Sequence, residues 1–402
     1  MTHATVDEAI EAIAQGRFVL VVDDEHRENE GDLIIAAEKV TPDKIAFMVR
    51  HTSGLICLPV VGERLDELRL PLMVMENTDS HNTAFTVSID SNKGTSTGIS
   101  AADRAATILA VVAPDTRAED LARPGHIFPL RYHPGGVLVR PGHTEAAVDL
   151  ARLAGLYPAG VLCEIVNDDG SMARGEALEA FAATHDLPII SVAALAAYRW
   201  RKEAIVSREA EATIPTEYGP FTVHGYRTRF SRAEHVALVR GDVAGKSDVL
   251  VRVHSVCLTG DVFGSRRCDC GAQLAEAMRR IAEADEGIIV YNPSHEGRGI
   301  GLVHKLAAYQ LQDSGLDTVE ANLEMGHEPD ERHYGVDAQI LSDLKVSSVR
   351  LLTNNPEKID QLRELGVDVV ERVPLWVGRN GHNQRYLETK AQKLGHLSDG
   401  SA

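Results

Sequence analysis

Apolar residues recur along the first half of the chain at the spacings typical of helices and of strands. Apolar runs over 18–22 and 33–37 predict two strands that enclose a polar loop, and the periodicity over 144–154 predicts a helix that ends at Gly155. An earlier amphipathic helix is predicted by four apolar residues at helical spacing, Val6, Ala9, Ile10 and Ile13.

The second half repeats this alternation. Residues 349–352 predict a strand, a helix follows through 359–365, and Gly366 precedes a second strand over 367–370. The charged stretch 199–213 reads as helical and is followed by a strand-like pattern, which predicts a domain boundary near residue 205. The predicted fold class is α/β of the α+β type, with two domains, 1–205 and 206–402, each a mixed β-sheet flanked by helices.

Length and charge agree with this organisation and exclude several functions. A chain of 402 residues exceeds what one hydrophobic core usually covers. A formal net charge of −18 and an aromatic content of 5% argue against a zinc-dependent nucleic-acid binder and against anionic membrane surfaces. No apolar stretch reaches the roughly 18 residues of a membrane span. With only five cysteines and no signal-peptide pattern, the sequence predicts a cytoplasmic protein.

The polar loop between the first two predicted strands is strongly acidic. It places six carboxylates within the ten positions 23–32, with one arginine among them. A hard divalent cation such as Mg²⁺ prefers oxygen ligands of this kind, so the loop is a candidate metal or substrate site. A solvated acidic turn is the open alternative.

The tetrapeptide Arg-Pro-Gly-His occurs twice, at 123–126 and at 140–143. The second copy leads directly into a predicted helix, whose first amides are placed to bind a phosphate group. A similar cradle is predicted over 95–100, where Ser100 and Asp103 have the spacing of a capping box; plain capping is the alternative there.

Taken together, five segments in this order resemble 3,4-dihydroxy-2-butanone 4-phosphate synthase over roughly residues 3–200. They are 23–32, 96–104, 123–126, 142–146 and 161–164. The resemblance implies conversion of ribulose 5-phosphate to a four-carbon phosphate and formate, with Mg²⁺ or Mn²⁺. It makes Glu28 and His143 the metal ligands and His126 and Glu164 the acid/base residues. It assigns substrate binding to Arg27, Asp32, Arg140, Thr144 and Glu164.

Three cysteines, Cys257, Cys268 and Cys270, lie within fourteen positions of the second half. Thiolates select soft or borderline metals such as zinc, and three protein ligands leave a fourth position for chemistry. A structural zinc site closed by His254 is the alternative.

The segments around these cysteines resemble GTP cyclohydrolase II over about residues 214–397. They are 252–255, 269–271, 296–301, 317–322, 330–332 and 351–356. The resemblance implies that a zinc-bound water opens the guanine ring of GTP, with release of formate and pyrophosphate. Asp330 is then the proton acceptor and Tyr309 an active-site residue. The family assigns Arg332 a nucleophilic role, but a guanidinium stays protonated, so stabilisation of the leaving pyrophosphate is the physical expectation.

The same resemblance implies a set of GTP-binding residues. They are Arg252, Val253, His254, Ser255, Val256, Gln273, Glu296, Gly297, Arg298, Thr318, Thr353 and Lys358.

Two positions depart from the pattern of the second family, since Val256 replaces a usual glutamate and Pro293 a usual arginine. Both departures remove charge near a charged substrate.

From the two resemblances together, the prediction is a bifunctional enzyme of riboflavin biosynthesis with ribulose 5-phosphate and GTP as substrates. The alternative keeps the first activity and makes the second half a zinc- and nucleotide-binding regulatory module. Both families imply a homodimer, with the first site possibly shared between subunits.

Overall fold

The computed structural model describes residues 3–25 and 27–397. The chain divides into two compact units, with the division between Arg199 and Trp200. This division precedes the predicted boundary near residue 205. Both units contain a seven-stranded mixed sheet flanked by helices, as predicted.

The first unit alternates strands and helices. Its strands are β1 (Val19–Val22), β2 (Gly31–Ala36), β3 (Cys57–Val60), β4 (Ile89–Ser91), β5 (Leu121–Arg131), β6 (Gly160–Glu164) and β7 (Ile189–Ser191). Its helices are α1 (Val6–Ala14), α2 (Pro42–His51), α3 (Gly62–Glu67), α4 (Ala101–Val112), α5 (His143–Leu153), α6 (Glu176–His185) and α7 (Val192–Lys202).

The first sheet has the strand order β4-β5-β3-β6-β2-β1-β7. Strand β2 is buried along its whole length, and its successive residues enter different cores. Leu33 and Ile35 pack in one apolar cluster, whereas Ile34 and Ala36 pack in another. Because alternate side chains of a strand point to opposite faces, this sheet is covered on both sides. The loop that joins β1 to β2 therefore projects from the edge of a rigid layer.

The second unit is organised in the same way. Its strands are β8 (Val206–Thr216), β9 (Gly219–Thr228), β10 (Glu234–Arg240), β11 (Val249–Ser255), β12 (Gly287–Asn292), β13 (Val349–Leu352) and β14 (Val369–Val373). Its helices are α8 (Leu258–Asp261), α9 (Cys270–Glu283), α10 (Gly301–Asp313), α11 (Thr318–Glu324), α12 (Gly335–Asp343), α13 (Pro356–Glu364) and α14 (Gln384–Lys393).

Parallel strands form one side of the second sheet, whose order is β14-β13-β11-β12-β10-β9-β8. Strand β11 pairs in parallel with β12 and with β13, and β13 pairs in parallel with β14. The carboxyl ends of parallel strands meet at one edge, where ligands of open α/β sheets usually bind. Residues that follow β11, β12 and β13 are thus brought together from distant parts of the sequence.

The charged stretch 199–213 is the element that the sequence pattern predicts wrongly. Helix α7 ends at Lys202, and residues 206–216 form β8, which pairs with β9 in antiparallel register. Strand β8 lies at the end of the sheet order, and its side chains from Ser207 to Pro215 are exposed. Pairing with a neighbouring strand overrides the local helical preference there.

The other predicted helices and strands are confirmed within one or two residues at most ends. The helix predicted over 144–154 is α5, and the strand predicted over 349–352 is β13. Within the described ranges, no helix has the length and apolar character needed to cross a membrane.

Candidate active sites

The acidic loop of the first unit is folded around Asp23. Its carboxylate accepts the backbone N–H of Glu28 (3.1 Å) and of Glu30 (2.9 Å), and the Arg27 guanidinium lies 2.9 Å from Oδ2. Several carboxylates in so short a loop repel one another, and these contacts hold them in fixed positions. The sequence includes Asp23 in the acidic loop but does not single it out from its neighbours.

Three side chains of this region can ligate one cation. Atoms of Asp23, Glu28 and His143 all lie within 4.8 Å of one another. Nδ1 of His143 is 3.6 Å from Glu28 Oε2 and 3.7 Å from Asp32 Oδ1. Nε2 of His143 and Oδ1 of Asp32 are buried and have no hydrogen-bond partner among the described residues. This donor set suits a divalent ion that takes carboxylate and imidazole ligands.

The electrostatics of this group follow from burial and close charges. Burial raises the pKa of Asp32 to about 7, and Glu164, Glu28 and Glu30 add to that effect. Burial opposes ionisation of Glu28, but a hydrogen bond from His143 and the charge of Arg27 lower its pKa to about 2. Burial likewise opposes the charge of His143, whereas Asp32 and Glu28 raise its pKa to about 9. The group thus concentrates negative charge around one imidazole.

Glu164 lies beside this group at the end of β6. In the antiparallel pairing of β2 with β6, Asp32 is the register partner of Glu164. Oε2 of Glu164 accepts the backbone N–H of Leu55 at 3.0 Å. Its carboxylate is half-buried and fixed, which suits a group that transfers protons at a defined place.

A cradle for an anion lies at the start of α5. A Cβ atom on Gly142 would lie 2.8 Å from Nη1 of Arg140 and 2.9 Å from Nη2 of Arg27, so both guanidinium groups converge on this residue. Gly142 is the N-cap of α5, and the buried Thr144 lies in its first turn. Two guanidinium groups at a helix N-terminus favour a phosphate group.

His126 stands in a different set of contacts. Its Nδ1 is 2.7 Å from Asp90 Oδ2, and the side chain is 41% exposed. Among the described residues, no hydrogen bond or ion pair joins it to Glu28 or His143. In the segment 95–100, the Ser100 side chain caps α4 by accepting the N–H of Asp103. The Asp103 carboxylate accepts the N–H groups of Ser96 and Gly98 instead, so it does not complete the predicted capping box.

In the second unit, the three cysteines converge from separate segments. Cys257 follows β11, Cys268 lies in the loop before α9, and Cys270 is the first residue of α9. Their sulfur atoms lie within 4.8 Å of one another, with Cys257 and Cys268 3.6 Å apart. Two thiolates on a tetrahedral zinc ion, each about 2.3 Å from it, would be roughly 3.8 Å apart. The spacing therefore fits one zinc ion.

His254 does not join the cysteines as a fourth ligand. Among the described residues, the group of potential ligands contains the three cysteines alone. Nε2 of His254 lies instead 3.0 Å from Asp261 Oδ2, which also accepts the backbone N–H of Cys257. The arrangement thus favours an open coordination position over a closed structural site.

Polar contacts around Cys257 fix its thiol. The sulfur lies 3.0 Å from Nζ of Lys305 and 3.5 Å from the Thr259 hydroxyl, which in turn is 3.3 Å from the Tyr309 hydroxyl. Contacts with the Cys268 and Cys270 thiols, assisted by Lys305, lower the pKa of Cys257 far below its usual range. The contact with Cys257 raises the pKa of Cys268 to about 11.

The cysteines open into a cavity that is partly open to solvent. Seven lysine and arginine side chains line it, and no aspartate or glutamate is among its described lining residues. They are Arg252, Arg267, Arg298, Lys305, Arg332, Lys358 and Lys390. Burial and the charges of Arg252 and Arg332 lower the pKa of Lys358 well below its usual value. In a chain of net charge −18, such a cavity is a local exception that favours a polyanionic ligand.

Most of the residues predicted to bind GTP line this cavity. They are Arg252, His254, Ser255, Val256, Gln273, Gly297, Arg298, Thr318, Thr353 and Lys358, and Tyr309 lies with them. Val253 and Glu296 are not among the lining residues. The carbonyl of Val253 accepts from Lys358 Nζ at 2.7 Å, and Glu296 accepts from Lys305 Nζ at 2.6 Å, so both act through a neighbour.

Arg332 and Asp330 form a buried ion pair at this cavity. Nε of Arg332 donates to Asp330 Oδ1 at 2.7 Å, and Nη1 donates to the Ser255 hydroxyl at 3.1 Å. Burial opposes the charge of Arg332, but Tyr334 and Asp330 keep its pKa above the usual value. Although burial opposes ionisation of Asp330, Arg332 lowers the pKa of that carboxyl. The pair thus stays ionised, which favours a charge-stabilising role for Arg332 over a nucleophilic one.

The two positions that depart from the family pattern fit the local backbone. Val256 lines the cavity, and its N–H donates to the carbonyl of Asn292 at 3.2 Å. Pro293 is the first residue of a 3-10 turn whose N-cap is Asn292, a position that needs no N–H donor.

Several lining residues carry little signal in the sequence. Lys305 is four residues before Tyr309, so a shared helix face was the available hint. Tyr386, Lys390 and His396 come from the C-terminal segment, where no motif marks them.

Comparisons with known proteins identify one family in each half of the chain. Residues 7–198 match the family model of 3,4-dihydroxy-2-butanone 4-phosphate synthase, and residues 207–374 match that of GTP cyclohydrolase II. The chain is 58% identical to the riboflavin biosynthesis protein RibBA of Nocardia farcinica (strain IFM 10152), covering 98% of this chain and 95% of that protein.

Two further relatives span both units. The bifunctional riboflavin biosynthesis protein RIBA 1, chloroplastic, of Arabidopsis thaliana is 54% identical, with 98% of this chain and 73% of that protein covered. The crystal structure of RibBX from A. baumannii, described as a two domain 3,4-dihydroxy-2-butanone 4-phosphate synthase, is 40% identical. It aligns with a TM-score of 0.73 over 92% of this chain and 99% of that chain.

Proposed function

We infer that each site carries one reaction of the family to which this chain belongs, the bifunctional riboflavin biosynthesis proteins that join 3,4-dihydroxy-2-butanone 4-phosphate synthase to GTP cyclohydrolase II. The protein is an enzyme with both activities. It forms the four-carbon phosphate and formate from ribulose 5-phosphate, and it hydrolyses GTP with release of formate and diphosphate. The alternative of a regulatory second half is not supported.

At the first site, Glu28 and His143 hold a divalent cation, Mg²⁺ or Mn²⁺, and Asp23 supports them. The supporting observation is the convergence of these three side chains within 4.8 Å. The cation, when bound, supplies positive charge beside the oxygen atoms that become negative during enolisation. Arg27, Arg140 and Thr144 hold the substrate phosphate at the start of α5.

Proton transfer at the first site is assigned to Glu164 and His126. Glu164 and Asp32 lie on paired strands beside the cation site, where both hold the substrate and Glu164 exchanges protons with it. A hydrogen bond with the Asp90 carboxylate orients the ring of His126. The predicted homodimer offers a route by which His126 of one subunit reaches the site of the other. Analytical ultracentrifugation tests the dimer, since a monomer at assay concentration would remove that route.

At the second site, the three thiolates hold zinc and the cationic cavity holds GTP. Zinc with an open position supplies an activated water for attack on the guanine ring. Arg298, Lys358 and Arg252 neutralise the triphosphate. Asp330 accepts a proton, and Arg332, which contacts both Asp330 and Ser255, stabilises the charge of the leaving diphosphate.

Formate released from each substrate tests both assignments in one preparation. Glu28→Gln is expected to abolish formate from ribulose 5-phosphate while leaving formate from GTP unchanged. Cys268→Ser is expected to do the reverse and to remove bound zinc, measured by atomic emission. Loss of both activities in either variant would argue against independent sites.

Chelation adds a second test of the metals. Dialysis against a chelator should abolish both activities; Mg²⁺ should then restore only the first and Zn²⁺ only the second. Restoration of GTP hydrolysis by Mg²⁺ alone would contradict the zinc assignment.

A further inference from the structure

Lys305 has contacts unlike those of the other cations of the second cavity. Its Nζ lies 3.0 Å from the Cys257 sulfur and 2.6 Å from Glu296 Oε1, and its side chain is only 11% exposed. Lys305 is thus a cationic side chain in direct hydrogen-bond contact with a cysteine sulfur. The sequence comparison with the two families assigns no role to this residue.

The Lys305–Glu296 pair also fixes the backbone next to Cys257. The second oxygen of Glu296, Oε2, accepts the N–H of Leu258 at 2.7 Å. Because Leu258 directly follows Cys257, the pair holds this cysteine both at its sulfur and at its backbone. A residue that only bound the substrate would not need these contacts.

The positive charge of Lys305 is of use beside a metal site formed by thiolates. Three thiolates and one divalent cation carry a net charge of −1, and Cys257 and Cys268 are buried. Buried net charge is costly unless a partner compensates for it. The Lys305 ammonium lies at hydrogen-bond distance from one ligand and offsets part of the negative charge of the thiolates and of Glu296.

We propose that Lys305 is a positioning residue of the zinc site, which donates an N–H···S hydrogen bond to Cys257 and offsets negative charge around the three thiolates. This inference rests on the proposed zinc assignment. Partners of metal ligands outside the coordination shell typically change metal affinity by about 10- to 100-fold. Lys305 thus acts on the metal rather than on the phosphates of GTP.

The experiment measures equilibrium zinc affinity of the full-length protein by competition with a chromophoric chelator. Lys305→Met is expected to weaken zinc binding by about 10- to 100-fold. Lys305→Gln, which keeps a donor but no charge, should lose a similar factor, and Lys305→Arg should retain most of the affinity. Lys246→Met is the matched control, because Lys246 pairs with Glu286 at the surface of the same unit.

Cobalt substitution gives a readout that does not depend on turnover. Removal of the positive charge should shift the thiolate-to-cobalt charge-transfer band of Lys305→Met to lower energy, while Lys246→Met keeps the wild-type band. Tryptophan emission verifies folding, since Trp200 and Trp376 both lie in the second unit.

The outcomes distinguish a failure of this inference from a failure of the zinc assignment on which it rests. If wild-type protein does not bind zinc, the zinc assignment fails. If wild-type protein binds zinc and Lys305→Gln binds it within twofold of the same affinity, the role given to Lys305 is wrong. Should Lys305→Met fail to fold, Lys305→Gln and Lys305→Arg decide the question by the same measurement.

Discussion

At the scale of single residues, Arg332 connects the predicted proton acceptor to the predicted ligands of GTP. Its three nitrogen atoms contact Asp330 and the Ser255 hydroxyl at once. A planar guanidinium can satisfy both partners, whereas an ammonium group on a flexible stem cannot hold the same geometry.

Arg332→Lys should therefore lower kcat for GTP by about 100-fold, although the positive charge is retained. Formate release under saturating GTP measures the effect. Arg227→Lys is the control, because Arg227 forms an exposed pair with Glu234. Equal activity of Arg332→Lys and wild type would show that charge alone suffices.

Gly142 offers a test of the phosphate cradle in the first unit. In Gly142→Ala, the added Cβ would displace the Arg27 and Arg140 guanidinium groups, which it would otherwise approach within 3 Å. We expect KM for ribulose 5-phosphate to rise about tenfold, equivalent to about 1.4 kcal/mol of binding free energy. Gly381→Ala has no atom within 4 Å of its Cβ and should leave KM unchanged.

Residue identity was predictable where a motif marked the position. Glu28 and His143, and the three cysteines, fall within short patterns, and each set converges in the structure. Asp23 and Lys305 were missed as individual contributors because their significance depends on partners that only the fold supplies. An acidic loop does not reveal which carboxylate accepts the backbone N–H groups. Likewise, a helical lysine does not reveal that it faces a thiol.

At the scale of elements, helix α7 is attached to the first sheet by a buried ion pair. Arg199 and Asp149 are both fully buried, with Nη1 of Arg199 2.6 Å from Asp149 Oδ2. Asp149 also accepts from the Tyr132 hydroxyl and from the N–H of Val137. Loss of one partner would leave a charge uncompensated in the interior.

Asp149→Asn should lower the free energy of unfolding of the first unit by about 3–5 kcal/mol. Far-UV circular dichroism in urea would show an earlier transition. Asp66→Asn serves as the control, because Asp66 pairs with Arg131 at the surface and such pairs contribute at most about 1 kcal/mol. An unchanged transition in Asp149→Asn would contradict the expected contribution of the buried pair.

Strand β8 shows where element prediction failed. Its alternating charged and small residues suit a helix or an exposed edge strand equally well, and only pairing with β9 decides between them. The strand β13 was predictable because it is rich in apolar β-branched and leucine residues and is bounded by polar segments.

At the scale of the whole molecule, the second unit buries many imidazole groups. Burial lowers the pKa of six histidines there, that of His396 to about 2; they are His224, His235, His254, His295, His333 and His396. An unfolded histidine has a pKa of about 6.5, so the unfolded chain binds more protons below that pH. Above about pH 6.5, these histidines therefore do not reduce the free energy of unfolding. As the pH falls below that value, they reduce it increasingly.

The thermal midpoint of the second unit should accordingly be lower at pH 5.5 than at pH 7.5, as followed by tryptophan emission. Asp337 opposes this trend, because burial raises its pKa to about 7 and its protonation favours the folded state. Because the six histidines outweigh Asp337, the thermal midpoint should rise with pH. An unchanged or higher midpoint at pH 5.5 would contradict the expectation.

The cavity could be predicted only in part from the sequence, because its walls come from segments that are far apart along the chain. Its walls come from the ends of β11 and β13, from α9 and α10, and from the C-terminal segment. Motifs identified the strand ends and the cysteines, whereas the C-terminal contributors Tyr386, Lys390 and His396 became visible only through chain packing.

The positively charged side chains of that cavity also bear on how a turnover ends. Diphosphate, one product of GTP hydrolysis, presents much of the negative charge that draws the substrate in. We therefore expect diphosphate to leave slowly and to inhibit competitively against GTP, more weakly at high ionic strength because salt screens the attraction. Departure of the product, rather than ring opening, would then limit the rate of the second activity.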